Sequence, residues 1–238
     1  MNRLGEFSAD EANTKDITKG FIRILAFSAY ATVCLFLPRK SWAWFEGWVF
    51  LAFFLAFLLS AFIPLARNPY LLKARLSSPY SSSQRTADKA LFSVLSVLQL
   101  IWLLAVGSGP RFYLTWHPFD MALVALGAGL LTLSCLAIHF IVKHNPFLIP
   151  AVADQKDQFI VERGMYRWVR HPMYAIVIAL SFGGSLLTRS EFGLLVSLLI
   201  SCAFLLRLML EEHYLLLRFP EYGAYMKRVR FRLLPPIL

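Results

Sequence analysis

The chain has 238 residues, of which 58% are hydrophobic and only 16% are charged. About a quarter of the residues of a soluble domain are charged, so this composition excludes an ordinary soluble globular domain. The net charge of +10 raises the question of a nucleic-acid partner. However, the Lys and Arg residues cluster in alternate loops rather than along one stripe, which indicates membrane topology and argues against nucleic acid.

Six apolar segments follow one another along the chain, and most approach the length of about 17–25 residues that a bilayer crossing needs. They cover residues 21–37, 42–65, 90–107, 119–142, 173–187 and 191–210. A short interfacial helix is expected from Asn68-Pro69 through Leu76. Residues Thr188-Arg189-Ser190 are suited to a tight reversal between the last two segments.

These segments predict an all-α fold, a polytopic membrane helical bundle of about six transmembrane helices. The last two spans form a helical hairpin, and an amphipathic tail follows them. We divide the chain into a polar N-terminal segment (1–20), transmembrane helices 1–4 (21–142) and a C-terminal part (143–238). The C-terminal part contains a long polar loop, the hairpin and the tail.

The distribution of positive charge predicts the orientation of the bundle. With six spans, both termini lie on the same side of the membrane. Four of the 24 Lys and Arg residues fall on the opposite side, namely Arg39, Lys40, Arg111 and Arg189. Because an excess of Lys and Arg marks cytoplasmic loops, we expect both termini in the cytoplasm, at a bacterial inner membrane or the endoplasmic reticulum.

The last predicted helix carries charges at its end. Arg207 and Glu211 are four residues apart, so they share one helix face, whereas Glu212 points elsewhere. A charge within or beside a span is costly and suggests a function. Alternatively, Arg207 extends to the headgroups while both glutamates are solvated. Position alone leaves both interpretations open.

A second polar stretch, Tyr166 to Tyr174, comes just before the fifth segment and contains Arg170-His171-Pro172. The interpretation that needs no binding or catalytic role is that its basic and aromatic residues anchor the chain at the headgroups. The basic tail after residue 218 is either an amphipathic helix on anionic lipid or a lid over a ligand. The three cysteines lie in apolar segments without metal-ligand spacing, and we expect no metal.

The residues of both stretches carry a family resemblance. Residues 164–174, Gly-Met-Tyr-Arg-Trp-Val-Arg-His-Pro-Met-Tyr, resemble the G-x-Y-x-x-x-R-H-P-x-Y signature of the isoprenylcysteine carboxyl methyltransferase and phospholipid methyltransferase group of membrane enzymes. Arg207, Glu211-Glu212 and residues 219–225 are similar to its R-x-x-x-E-E…F-G-x-x-Y-x-x-Y block, with Pro220 in place of the usual glycine. The resemblance covers roughly residues 140–235, so the C-terminal part is the expected catalytic half.

The resemblance implies S-adenosyl-L-methionine as the cofactor, bound without a Rossmann fold. The cofactor-binding residues that it implies are Gln158, Phe159, Ile160, Val161, Tyr166, His171, Pro172, Tyr174 and Glu211. Gln158 stands where relatives can have a histidine. The implied substrate-binding residue is Arg207, and the implied catalytic residues are Arg207 and Glu212, the latter as a base if the acceptor is an amine.

The function expected from this resemblance is carboxyl O-methylation of a lipophilic, isoprenylcysteine-like acceptor at the cytoplasmic face of the bilayer. One alternative is N-methylation of a phospholipid amine. Another is an NADPH-dependent membrane reductase of the sterol type, against which the short chain counts. The last is a scaffold without enzymatic activity, which would bind no adenosyl cofactor.

Overall fold

A computed structural model of the protein describes residues 14–76, 86–109, 118–145 and 160–235. Within these ranges the chain folds into helices joined by short connections. Their bounds are α1 Thr14–Arg39, α2 Phe45–Ala66, α3 Pro69–Leu76, α4 Thr86–Ser108, α5 Pro118–His144, a 3-10 turn Gly164–Arg167, α6 Pro172–Leu187, α7 Glu191–Arg218 and α8 Tyr222–Arg228.

Five of these helices, α1, α2, α4, α5 and α7, are long and apolar enough to cross a membrane. The remaining predicted span is α6, an apolar helix of 16 residues. At 1.5 Å per residue it is about 24 Å long, shorter than the hydrocarbon core of about 30 Å. The predicted all-α polytopic bundle is therefore confirmed, with five full-length helices and one shorter apolar helix.

The largest differences from the boundaries predicted by hydropathy are at the start of α1 and the end of α7. Helix α1 begins at Thr14, so residues 14–20 of the predicted polar segment are already helical, while residues 1–13 lie outside the described residues. Helix α7 continues to Arg218 rather than ending at residue 210. Charged residues ended the apolar run in the sequence, but they do not end the helix, because Arg and Glu are good helix formers.

Helix α6 is held in the bundle by small and hydroxyl-bearing residues that allow close approach. At Gly184 a Cβ atom would lie 2.6 Å from the Phe50 ring and 2.9 Å from the Trp102 ring. The indole nitrogen of Trp102 donates to the Ser185 hydroxyl at 3.0 Å, and that hydroxyl lies 3.1 Å from the Ser197 hydroxyl. Helices α2, α4, α6 and α7 therefore meet near the C-terminal end of α6.

Helices α6 and α7 form the predicted hairpin. The chain reverses at Thr188–Ser190, where Arg189 adopts a left-handed conformation with φ +54°. The Ser190 hydroxyl caps α7 by accepting from the Gly193 amide at 3.0 Å. This reversal brings the start of α6 and the end of α7, which carry the two polar motifs, to the same end of the bundle.

Candidate functional site

The two motifs meet where α6 begins and α7 ends. His171 is the residue before α6, and Pro172 opens the helix, where its missing amide hydrogen costs nothing. Tyr174 lies in the first turn of α6 and contacts residues 204, 207 and 211 of α7. Polar side chains that are more than thirty residues apart in the sequence therefore lie together at one end of the bundle.

Tyr174 connects the side chains of this site. Its hydroxyl donates a hydrogen bond to Oε2 of Glu211. Its ring stacks on the His171 imidazole, with 5.4 Å between centroids and 9° between planes. The guanidinium carbon of Arg207 lies 6.0 Å from the Tyr174 ring centroid and 5.9 Å from that of Phe92 in α4. Arg207 and Glu211 thus face the same tyrosine, as their helical spacing predicted.

Burial separates the two glutamates. The side chain of Glu211 is 24% exposed, whereas that of Glu212 is 6% exposed. Arg207 and His171 are also buried. Arg207 and Glu212 are therefore not solvated at a headgroup layer, and the alternative in which Arg207 extends to the headgroups does not fit its position.

Glu212 is enclosed by cationic groups. Its Oε1 accepts from Nε of Arg170 at 2.6 Å, and its Oε2 accepts from Nε of Arg232 at 3.1 Å. Nε2 of His171 lies 3.4 Å from Oε1. The sequence predicted that Glu212 leaves the face of Arg207 and Glu211. It did not indicate that Glu212 turns into an ion-pair network at the start of α6.

The C-terminal tail lies along the residues that precede α6. Helix α8 covers only Tyr222–Arg228, and the chain then pairs in parallel with the 169–171 stretch through a Val169–Phe231 bridge. The Arg170 amide donates to the Phe231 carbonyl at 3.0 Å, and the His171 amide donates to the Arg232 carbonyl at 2.8 Å. Nη1 of Arg170 donates to the carbonyls of residues 229 and 230 at 2.7 and 2.9 Å.

Tyr166 is fixed beneath this tail. Its hydroxyl accepts from the Asn145 amide group at 2.7 Å, and its carbonyl accepts from the Tyr225 hydroxyl at 2.8 Å. Burial raises the pKa of Tyr166 to about 12, and burial likewise raises the pKa of the Tyr222 and Tyr225 phenols. All three phenols are therefore neutral at physiological pH and act as hydrogen-bonding groups.

Arg75, on helix α3, is a residue of this region that the sequence motifs did not indicate. Burial lowers the pKa of its guanidinium to about 10, and the interaction with Tyr166 partly opposes that shift. Arg75 therefore remains charged at neutral pH close to Tyr166. The predicted interfacial helix at residues 68–76 placed it on the correct side of the bundle, but no spacing rule linked it to residues ninety positions further on.

The remaining predicted cofactor residues flank the tyrosines. Ile160 packs on the buried cluster of Tyr222 and Tyr225, and Val161 packs on the cluster that contains Tyr166. Gln158 and Phe159 lie outside the described residues. Among the residues that are described, no group of three His, Cys, Asp or Glu side chains is arranged to hold a metal ion.

The fold and the comparison with known families now agree on a class of protein. Residues 121–217 match the model of the Isoprenylcysteine carboxyl methyltransferase (ICMT) family. Together with the apolar helices, this match supports a membrane methyltransferase.

Within that class, the family predicted from the motifs is confirmed over residues 121–217, which contain both the Arg-His-Pro stretch and the Arg207–Glu212 stretch. Residues 218–235, including α8 and the extended tail, lie beyond the matched segment. No curated protein matches the chain.

Proposed function

We propose that this protein transfers a methyl group from S-adenosyl-L-methionine to the carboxylate of a lipophilic, isoprenylcysteine-like acceptor. The observation that carries the proposal is the position of Tyr174 between Glu211 and Arg207. One carboxylate and one guanidinium are thereby brought to a single aromatic side chain at the end of an apolar bundle. Such a site suits two ligands of opposite charge.

The residues around Glu211 fit the proposed cofactor. A partly exposed carboxylate beside the stacked rings of His171 and Tyr174 suits a ligand with cationic groups and an aromatic base. S-adenosyl-L-methionine supplies an electrophilic methyl group on a sulfonium. Glu211 would pair with a cationic group of this ligand, and the two rings would stack or donate hydrogen bonds. Tyr166, Pro172 and residues 158–161 would complete the binding surface.

Arg207 is suited to the acceptor carboxylate. Its guanidinium is buried, so a carboxylate that reaches it is bound more strongly than it would be in water. A planar guanidinium can hold a carboxylate through two parallel hydrogen bonds. Because a carboxylate is already nucleophilic, the contribution of Arg207 is alignment at a near-attack distance rather than removal of a proton.

The surroundings of Glu212 favour a carboxylate acceptor over an amine. An amine acceptor would need a general base, and Glu212 is the candidate for that role. Its two oxygens, however, already accept from Arg170 and Arg232, and its side chain is almost fully enclosed. A base must reach the proton that it removes, so these contacts support a positioning role for Glu212.

The location of the site supports access from two directions. Large exposed hydrophobic side chains on α4 and α7 indicate a lipid-facing surface close to Arg207. We propose that the lipid part of the acceptor enters sideways between helices, while the cofactor enters from the cytoplasm. The excess of Lys and Arg on the side of the site supports a cytoplasmic orientation.

Cofactor binding to the purified protein in detergent tests this function. Calorimetry with S-adenosyl-L-methionine should show binding to the native chain and weaker binding to Glu211→Gln and His171→Ala. Arg207→Ala should retain cofactor binding and lose turnover, because the Arg207 side chain is proposed to bind the acceptor carboxylate. Glu221→Gln, which neutralises an exposed acid at the start of α8, is the matched control and should behave like the native chain.

A transfer assay then separates the acceptor classes. The expected result is methylation of a prenylated cysteine with a free carboxylate. Methylation of phosphatidylethanolamine instead would support the alternative of an amine acceptor. Absence of S-adenosyl-L-methionine binding to the well-folded native chain would overturn the proposed function altogether.

A further inference from the structure

The extended tail after α8 lies beyond the segment that matches the family, yet it contacts the residues of the proposed cofactor site directly. We propose that Arg232 is a positioning residue of this site, which fixes Glu212 through its side chain and His171 through its carbonyl. The inference rests on the proposed function, since it concerns how the cofactor residues are held. It also assigns the tail to the site rather than to a lipid surface.

Arg232 makes two contacts that converge on neighbouring parts of the site. Its Nε donates to Oε2 of Glu212 at 3.1 Å, and its main-chain oxygen accepts from the His171 amide at 2.8 Å. The same residue therefore determines where a buried carboxylate lies and where the backbone before α6 lies. A cation that bound only lipid headgroups would not donate to the buried Glu212.

The burial of Glu212 explains why its second carboxylate oxygen requires a donor such as Arg232. A carboxylate in a low-dielectric environment is tolerated only where its oxygens are paired. Arg170 occupies Oε1, and Nη1 of Arg170 is bonded to two tail carbonyls, which fixes the direction of its guanidinium. Oε2 then depends on Arg232. Without that donor, Glu212 is expected to rotate toward Arg170 or to admit water.

The position of His171 depends on the same arrangement. Its Nε2 lies 3.4 Å from Glu212 and its Nδ1 lies 3.9 Å from Glu211, so the ring is held between the two carboxylates. Movement of Glu212 removes one of these attractions, and loss of the tail removes the hydrogen bond of the His171 amide. Either change would move the ring that stacks on Tyr174 beside the partly exposed carboxylate of Glu211.

The other cations of this region provide a contrast. Lys227 on α8 is exposed, as is Arg228, whose side chain pairs with the exposed Glu162. If the tail acted only through its positive charge, removal of Lys227 and removal of Arg232 would be equivalent. If Arg232 positions the site, the two substitutions differ. Lys227→Ala is therefore the matched control for Arg232→Ala.

The first measurement needs no cofactor. Amide hydrogen exchange in peptides that cover residues 169–174 should become faster in Arg232→Ala. The carbonyl of residue 232 remains, but the tail has lost its side-chain bond to Glu212 and holds that carbonyl less firmly against the His171 amide. Lys227→Ala should exchange like the native chain. Arg232→Lys, which keeps a cation but not the geometry of the guanidinium, should lie between them.

The second measurement is affinity for S-adenosyl-L-methionine. The dissociation constant should rise about tenfold in Arg232→Ala, as for the loss of a charge-assisted hydrogen bond, with Arg232→Lys intermediate and Lys227→Ala unchanged. The KM for the cofactor should rise in parallel. The kcat at saturating cofactor should change by less than about twofold, since the interaction is made before the chemical step.

The outcomes separate this inference from the proposed function. If the native chain binds no S-adenosyl-L-methionine, the proposed function fails, and the exchange comparison still decides whether Arg232 fixes His171. If the native chain binds the cofactor but Arg232→Ala matches Lys227→Ala in exchange and affinity, the inference is overturned. Should Arg232→Ala fail to fold, Arg232→Lys and Arg232→Gln carry the same comparison.

Discussion

Two adjacent glutamates show how strongly the surroundings of a residue decide its chemistry. Glu211 accepts from the Tyr174 hydroxyl and is partly exposed, whereas Glu212 is enclosed by Arg170 and Arg232. One helical position apart, the side chains point about 100° away from each other, as the α-helix requires. The first keeps part of its carboxylate exposed, and the second is held by two guanidinium groups.

Tyr166 gives a prediction about pH at the same scale. Burial raises its pKa from 10.0 to about 12, so folding favours the neutral phenol. The stabilisation from this shift is complete below pH 10.0 and is lost as the pH rises toward 12, because the unfolded chain then releases a proton that the folded chain retains.

Thermal unfolding in detergent should therefore show a midpoint that falls more steeply between pH 10.0 and 12 in the native chain than in Tyr166→Phe. Only the two slopes are compared, since the substitution also removes the hydroxyl that accepts from the Asn145 amide group and lowers the midpoint at every pH. Parallel slopes for the two proteins would contradict the assigned shift of the Tyr166 pKa.

At the scale of elements, the packing of α5 against α6 depends on Gly127. A Cβ atom at this position would lie 2.6 Å from the Leu187 amide nitrogen and 2.7 Å from the Gly183 carbonyl oxygen. Both are main-chain atoms, so neither can rotate away as a side chain could. The two backbones approach each other closely because Gly127 of α5 faces Gly183 of α6, and neither residue has a side chain, as in other membrane helix pairs.

Gly127→Ala should therefore lower the thermal midpoint, while Gly129→Ala on the same helix should keep or raise it. A Cβ at Gly129 would meet no atom within 4 Å. There the gain in helix propensity, about 0.5–1 kcal/mol, is not offset by a clash. Equal midpoints for the two variants would show that α5 and α6 are less tightly packed than their backbone distances indicate.

The contacts that the sequence predicted and those that it missed differ in kind. Apolar runs located the helices, and the spacing of Arg207 and Glu211 predicted that both face one partner, because these signals are local. The contact of Arg170 with the main chain of Arg230 joins residues 60 positions apart, and that of Arg232 with Glu212 joins residues 20 apart. No periodicity encodes such pairs, so the enclosure of Glu212 became visible only in the fold.

For the whole molecule, the decisive question is whether the short helix α6 crosses the bilayer. Five crossings separate the α1–α2 connection from α8 if α6 spans, and four if it re-enters on the same side. A helix of 16 residues is about 24 Å long, but its contacts with α5 and α7 cover its polar groups, and local thinning of the bilayer can accommodate the difference. We therefore expect α6 to span.

Labelling of single cysteines by a membrane-impermeant maleimide tests this topology. Ser41 lies exposed in the α1–α2 connection, and Lys227 lies exposed on α8. In a background without the three native cysteines, Ser41→Cys should react in right-side-out vesicles and Lys227→Cys in inverted ones. Labelling of both from one side would mean that α6 re-enters the membrane. If Ser41→Cys reacted in inverted vesicles and Lys227→Cys in right-side-out ones, α6 would still span the membrane. The proposed cofactor site would then face away from the cytoplasm, and S-adenosyl-L-methionine would have to reach it from the other side.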